Sequence, residues 1–401
     1  MIKRTLQELC LNITDGKHGD CENEENSGYY FISCKDIFDG QINYKNARQI
    51  TKADFEETHK RTMLEVDDIL LTNSGTIGRM AFVTDREATT KTTFQKSVAI
   101  IKPDKQKVLP RYLYYQLQNC VPQFINSSNG SAQKNLLLST MRTFRIEIEE
   151  NREKQEKIAN TLSAYDDLIE NNQKQIKLQE EAARRLYKEW FVDLRFPGHE
   201  NTKIVDGVPE GWSKSTVSEV SAVLRRGISP KYNEKARGIV INQKCIRQTI
   251  VSYDEARTQE KKYPAELEMM ESDIVICSTG AGTLGRVGQI FEAKGNATLD
   301  SHVTLIRANE KIEQQSLFWS LKMQQDYLMS AGKGSTNQLE LSRETIGSCE
   351  ILIPERKIAE QVEKNFVAIH NKMKECSMQI ARLREVRDLL LPKLMSGEMK
   401  V

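Results

Sequence analysis

Asp68 to Arg79 reads DILLTNSGTIGR, and Asp273 to Arg286 reads DIVICSTGAGTLGR. Both stretches open on an aspartate, run through apolar residues of strand character, break into a Gly/Ser/Thr cluster and close on Gly-Arg; the second is two residues longer. Working outward, further pairs keep the same order. Lys3–Cys10 (KRTLQELC) recurs as Lys214–Ser221 (KSTVSEVS), and Ile32-Ser33-Cys34-Lys35 recurs as Ile241-Asn242-Gln243-Lys244. Ala47-Arg48 recurs as Ala256-Arg257, and Gly130-Ser131 as Gly334-Ser335. The offset stays between 204 and 211 residues, far beyond any solenoid period, so the chain is a duplicated domain.

Each copy ends in a charged segment, about 151–191 and 356–396. Ile158, Leu162, Tyr165, Ile169, Asn172, Ile176, Gln179, Ala183, Leu186 and Trp190 alternate steps of four and three. Adding 204 gives Val362, Phe366, Ile369, Met373, Cys376, Ile380, Leu383, Arg387, Leu390 and Leu394. A sustained 3.5-residue spacing with charged flanks predicts a coiled-coil seam. Asn172, Gln179 and Arg387 interrupt it, either as polar groups tolerated in a wet stretch or as register-setting residues. Pro354 and Pro392 fit helix edges.

Outside these helices, short runs (Ala81–Val83, Val98–Ile101, Ile239–Ile241, Val303–Ile306) read as strands, and 110–119 and 315–329 as helices. The expected fold class is α+β. Two mixed α/β modules, 1–150 and 197–355, are each followed by a helix, 151–196 and 356–401. In the order module, helix, module, helix, an intrachain helix pair must be antiparallel, with a pseudo-two-fold relation between the modules. An inter-chain coil that only dimerises the protein is the rival arrangement.

Composition limits the function. The 401 residues are 39% apolar and 28% charged with net charge +2, and neither module has an excess of basic residues, so a nucleic-acid ligand requires local charge patterning or help from partners. The eight cysteines form no CxxC pair, which suggests neither zinc nor a disulfide framework. The N-terminal residues lack the apolar stretch of a signal peptide and no run is long enough to span a membrane, so a cytoplasmic location is expected.

Gly280-Ala281-Gly282-Thr283-Leu284-Gly285 is a literal GxGxxG, but a dinucleotide fingerprint needs a helix after it. Here Val287 to Phe291 reads as strand, so this loop and its copy at 73–78 are expected to be tight turns between strands. Arg79 and Arg286, which end those turns, either pack in salt bridges or contact phosphate. Gly332–Ser335 fails the P-loop pattern, and no HExxH or Asn-Pro-Pro-aromatic run is present. No enzyme activity, resident cofactor or metal is expected of this chain.

At this point the residues resemble the specificity-subunit family of type I restriction-modification systems over essentially the whole length. The stretches that carry the likeness are Leu186–Gly198 (LYKEWFVDLRFPG), Pro209–Trp212 (PEGW), Arg226–Tyr232 (RGISPKY), Leu391–Gly397 (LPKLMSG), Asp68–Arg79 and Gly130–Leu136 (GSAQKNL). The resemblance implies two target-recognition domains, each with a spacer helix, reading a bipartite DNA site. It also implies two methylation subunits and added restriction/translocase subunits, which would carry S-adenosylmethionine, ATP and magnesium. The second module reads GSTNQL at Gly334–Leu339, one residue shorter than the first, which puts residue-by-residue transfer there in doubt.

Two half-sites with different letters need different readers, so features common to both modules should be scaffold or phosphate contacts and the differences should carry specificity. Three variable loop sets follow. Lys17, His18 and Asp20 face Arg225, Arg226, Lys231 and Tyr232. Thr93, Gln95 and Lys96 face Asp300 and His302. Gln133, Lys134 and Asn135 face Lys333, Asn337 and Gln338. A scaffold or adaptor that uses its coil only for protein assembly is the alternative function.

Overall fold

Asp68 is buried at the start of a strand, where its carboxylate accepts the backbone N–H of Glu65 at 2.8 Å and pairs with Lys102 Nζ at 2.7 Å. Asp273 does the same in the second copy, taking the N–H of Met270 at 2.7 Å and pairing with Arg307. A buried carboxylate is tolerated only when bonded in this way. The shared aspartate thus marks a structural corner that the fold builds twice.

The computed structural model describes residues 1–84, 86–128, 134–280, 282–334 and 339–400. It divides into two compact units, one of residues 1–169 with 381–401 and one of residues 170–380. In the first unit the strands of the two larger sheets are β1 (Cys10–Asp15), β2 (Tyr30–Ile32), β3 (Arg48–Gln49), β4 (Ile69–Thr72), β5 (Met80–Phe82), β6 (Thr92–Phe94) and β7 (Val98–Pro103). They form an antiparallel sheet ordered β1-β7-β4-β5 and a smaller sheet ordered β3-β2-β6. Helices α1 (Lys52–Thr62) and α2 (Pro110–Asn119) pack on them, and α3 (Arg152–Tyr187) leaves the unit.

The second unit repeats the plan with β8 (Ser221–Arg226), β9 (Gly238–Ile241), β10 (Arg257–Gln259), β11 (Ile274–Cys277), β12 (Val287–Gln289), β13 (Ala297–Leu299) and β14 (Val303–Ala308). Its two larger sheets are ordered β8-β14-β11-β12 and β10-β9-β13, strand for strand the topology of the first unit's larger sheets. Helix α4 (Gln314–Met323) answers α2, and α5 (Arg356–Ser396) is the second long helix. The sequence suggests one helix over 315–329, but the chain breaks at Gln324 and resumes as Gln325–Ser330.

The long helices bury the expected face. Within the second unit, Ala183, Tyr187, Trp190 and Phe191 share a core with Ile358, Val362 and Phe366, while Gln175 meets Cys376 at 3.7 Å. Rising numbers on α3 meet falling numbers on α5, so the two run antiparallel. In the first unit Ile158, Ala159 and Leu162 of α3 join Leu394 and Met395 of α5 in one apolar core. Pro392 is not a helix edge: α5 continues through it to Ser396. Pro392 has no N–H, so the carbonyl of Asp388, four residues earlier, loses its helical donor although the helix continues. No helix among the described residues is long and apolar enough to cross a membrane.

Candidate nucleic-acid interface

In each larger sheet the antiparallel order brings one set of strand ends together. In the first unit β1 ends at Asp15, β4 at Thr72, β5 begins at Met80 and β7 at Val98, so their loops share one edge. Backbone hydrogen bonds join those loops directly. Lys17 N–H donates to Phe94 O at 2.8 Å, Lys96 N–H to Lys17 O at 3.1 Å, Asn73 N–H to Ser97 O at 3.0 Å and Leu136 N–H to Asn73 O at 2.8 Å. The variable loops, distant in sequence, form one cluster.

The second unit repeats three of these four bonds. Ile228 N–H donates to Leu299 O at 2.8 Å, Ser278 N–H to His302 O at 2.8 Å and Leu341 N–H to Ser278 O at 2.8 Å. A shared glycine permits the first contact: a Cβ on Gly16 would lie 1.9 Å from Phe94 O, and one on Gly227 2.1 Å from Leu299 O. Only glycine allows so close a backbone approach. Gly280 and Gly282–Gly285 of the GxGxxG stretch lie between antiparallel β11 and β12, and a strand, not a helix, follows them.

The side chains of the cluster differ in how far they are already engaged. Lys17 is held by Asp54 at 3.0 Å and Glu57 at 3.2 Å, and the Asp54 bond, assisted by Glu57, raises its pKa. His18 is exposed and rests on Asp15 at 3.0 Å. Asp20 is exposed and bonded by Arg48, which holds its carboxyl below the usual range. Gln95 is half-buried, whereas Lys96, Lys134 and Asn135 are exposed. The side chains of Lys96, Lys134 and Arg79 have no hydrogen-bond or ionic partner among the described residues, so these cations are available to a ligand.

In the second unit Arg225 pairs with Glu266, Arg226 with Glu340 at 2.6 Å, and Lys231 with Glu260. Tyr232 is 43% exposed under Arg257. His302 is exposed and bonds Thr279 at 2.6 Å, and Arg286 turns back onto Gly282 O at 2.6 Å. Lys333 is exposed, with its side chain unpaired among the described residues.

Two expected readers lie behind the cluster. Thr93 is wholly buried in β6 with its hydroxyl on Thr62 at 3.1 Å, and Asp300 is 2% exposed, accepting the His302 N–H at 2.9 Å. Burial raises the Asp300 pKa. Thr93 is interior because the strand runs on to Phe94, and Asp300, just past the end of its strand at Leu299, turns inward to hold the His302 N–H. Gln133, Asn337 and Gln338 lie outside the described residues.

Two lysines on this edge were legible only as part of the repeat. Lys35 and Lys244 sit in matching short 3-10 turns, Cys34–Asp36 and Gln243–Cys245, exposed and with unpaired side chains among the described residues. Those turns abut the cluster: Cys34 N–H donates to Ser97 Oγ at 3.2 Å, and a Cβ on Gly280 would meet Gln243. The identical lysine in both copies was the available signal.

The family model of the type I restriction modification DNA specificity domain matches residues 3–180 and 209–375. The chain belongs to that family. The chain is 27% identical over 387 residues to the MjaIX specificity subunit of Methanocaldococcus jannaschii, covering 92% of this chain and 87% of that protein. It is 25% identical to the HindI specificity subunit of Haemophilus influenzae, covering 75% and 79%. Among solved structures, the type I S subunit from M. genitalium matches with TM-score 0.56 at 18% identity, covering 98% of this chain and 95% of that one. This specificity subunit therefore has the fold that its sequence resemblance implies, with a family match in each copy.

Proposed function

We propose that this specificity subunit reads a bipartite DNA target, with the loop edge of each unit addressing its own half-site. The observation that carries the reading is the pair of matched loop clusters, joined by three equivalent backbone hydrogen bonds yet presenting different side chains. Matched frames with different contents are what two different half-sites require. Base edges in the major groove are distinguished by donor and acceptor pattern, which His18, Asp20 and Asn135 on one edge and Tyr232 and His302 on the other can supply.

The reaction itself belongs to partners in this reading. Two methylation subunits bind with the chain, each flipping an adenine of its half-site out of the stack for N6 methylation, and restriction/translocase subunits join for cleavage. S-adenosylmethionine, ATP and magnesium reside on those partners, and this chain supplies the address without chemistry of its own. The complex works in the cytoplasm. Sequencing the methylated bases of the host with and without this gene tests the proposal: one bipartite adenine-methylated motif should vanish with the gene. An unchanged methylome would favour a coil-based scaffold.

A further inference from the structure

The variable loops differ in the residues that could read a base, yet each is held at two points by a residue common to both units. The first point is the glycine pressed on the neighbouring strand. The second is an arginine. Arg48 in β3 donates from Nε to Asn23 Oδ1, from Nη1 to Asp20 Oδ1 and from Nη2 to the Cys21 carbonyl, and its guanidinium lies 5.5 Å from the Phe31 ring centroid. Arg257, at the matching place in β10, lies 3.4 Å from the centroid of Tyr232. The loop backbones bridge the same strand regions, Asn23 with Ile50 and Tyr232 with Gln259.

We propose that Arg48 and Arg257 are positioning residues for half-site specificity: each fixes the far end of its unit's variable loop, so that the loop meets DNA in one conformation. The inference rests on the reading of these loops as base readers. Arginine suits the task because it is indifferent to what it holds. Its rigid fork links several acceptors at once, as in the first unit, and its flat, weakly hydrated face stacks on an aromatic ring, as in the second. One residue type can therefore serve two loops whose contents must differ. A loop fixed at both ends loses less conformational freedom when it binds, which raises affinity, and it denies an incorrect letter the rearrangement that would relieve a misfit, which sharpens discrimination.

The full chain, assembled with its co-expressed partners, should be compared as wild type, Arg48→Ala, Arg48→Lys, Arg257→Ala and Arg257→Lys. The readouts are methylated-motif mapping, competition by duplexes altered in one half-site, and amide exchange of residues 17–23 and 228–232. Arg48→Ala should lower discrimination by about 10-fold at one half-site only, the size of one lost base contact, and speed exchange in 17–23 alone. Arg257→Ala should do the mirror image. Lysine should restore most of the effect at 257, where a cation on a ring suffices, and little at 48, where three acceptors need the fork. Equal loss at both half-sites, or unchanged discrimination with unchanged exchange, would overturn the proposal. Faster loop exchange in the alanine variants, with a wild-type assembly that shows no sequence preference, would leave the clamp standing and sink the base-reading role instead.

Discussion

Arg387 of α5 donates from Nη1 to Asp166 Oδ1 of α3 at 2.7 Å, and Tyr115 Oη–H closes the other carboxylate oxygen at 2.6 Å. Arg387 therefore does not merely interrupt the seam; it is answered across it. At the positions 204 residues away the second unit has Ala183, His370 and Trp319, all buried, so the two copies solve the same junction with different chemistry. Arg387→Ala leaves a carboxylate half-buried beside Tyr115 alone. For groups about a quarter exposed we expect a loss of about 1–2 kcal/mol, smaller than for a fully buried pair. A double-mutant cycle with Asp166→Ala, read by denaturant unfolding, should return a coupling above about 0.5 kcal/mol. Strict additivity would show that the pair only fills space.

Lys35 and Lys244 should act on affinity without touching letters. A lysine that meets a phosphate releases a counterion, so each Lys→Gln substitution should reduce the slope of log affinity against log salt by about 0.9. Filter-binding or anisotropy titrations of the assembled complex from low to physiological salt measure this, and the double variant should lose about twice as much. The methylated motif should stay the same. A changed letter would make the lysine a base reader, and an unchanged slope would remove it from the interface.

His370 gives the second unit a pH dependence whose sign follows from its surroundings. It is 5% exposed, with Nδ1 3.1 Å from Gln289 Oε1, its ring 4.3 Å from that of Phe291, and Nε2 without a partner among the described residues. Burial lowers its pKa to about 4, opposed by Glu271 and assisted by Lys374. The unfolded chain takes up its proton near pH 6.5, above the folded value, so the contribution is complete above that pH and is lost as pH falls toward 4. The loss is at most about 3 kcal/mol. All three tryptophans, Trp190, Trp212 and Trp319, lie within residues 170–380, so their fluorescence follows this unit. Denaturation midpoints between pH 4 and 7 should fall less steeply in His370→Gln, which keeps an N–H donor, than in wild type. Parallel slopes would assign the acid sensitivity elsewhere.

The duplication made most of this fold readable from one sequence. Asp68 and Asp273 could be paired by pattern, and the structure shows why the pattern exists: a buried carboxylate capping one backbone N–H and bound to one cation. The short repeat at Thr5 and Thr216 has the same kind of cause, since Glu8 and Glu219 reach back to the threonine N–H groups at 2.6 and 2.9 Å. The heptad seam was legible because burial follows a simple period. The reach of individual loop residues was not. Thr93 and Lys96 are three residues apart, yet one is interior and the other exposed, because the strand edge that separates them is set by pairing with β2. The acidic partners that occupy Arg225, Arg226 and Lys231 come from residues 29 to 114 positions later, beyond any local signal.

The central claim, that each unit reads its own half-site, is tested most directly by replacing Lys17–Asp20 while keeping Asp15, Gly16 and Arg48, and mapping the motif methylated by the assembled complex. The geometry predicts changed or relaxed letters in one half-site, with the other half-site and the gap between them as in wild type. Altered letters in both half-sites, or in neither, would contradict it.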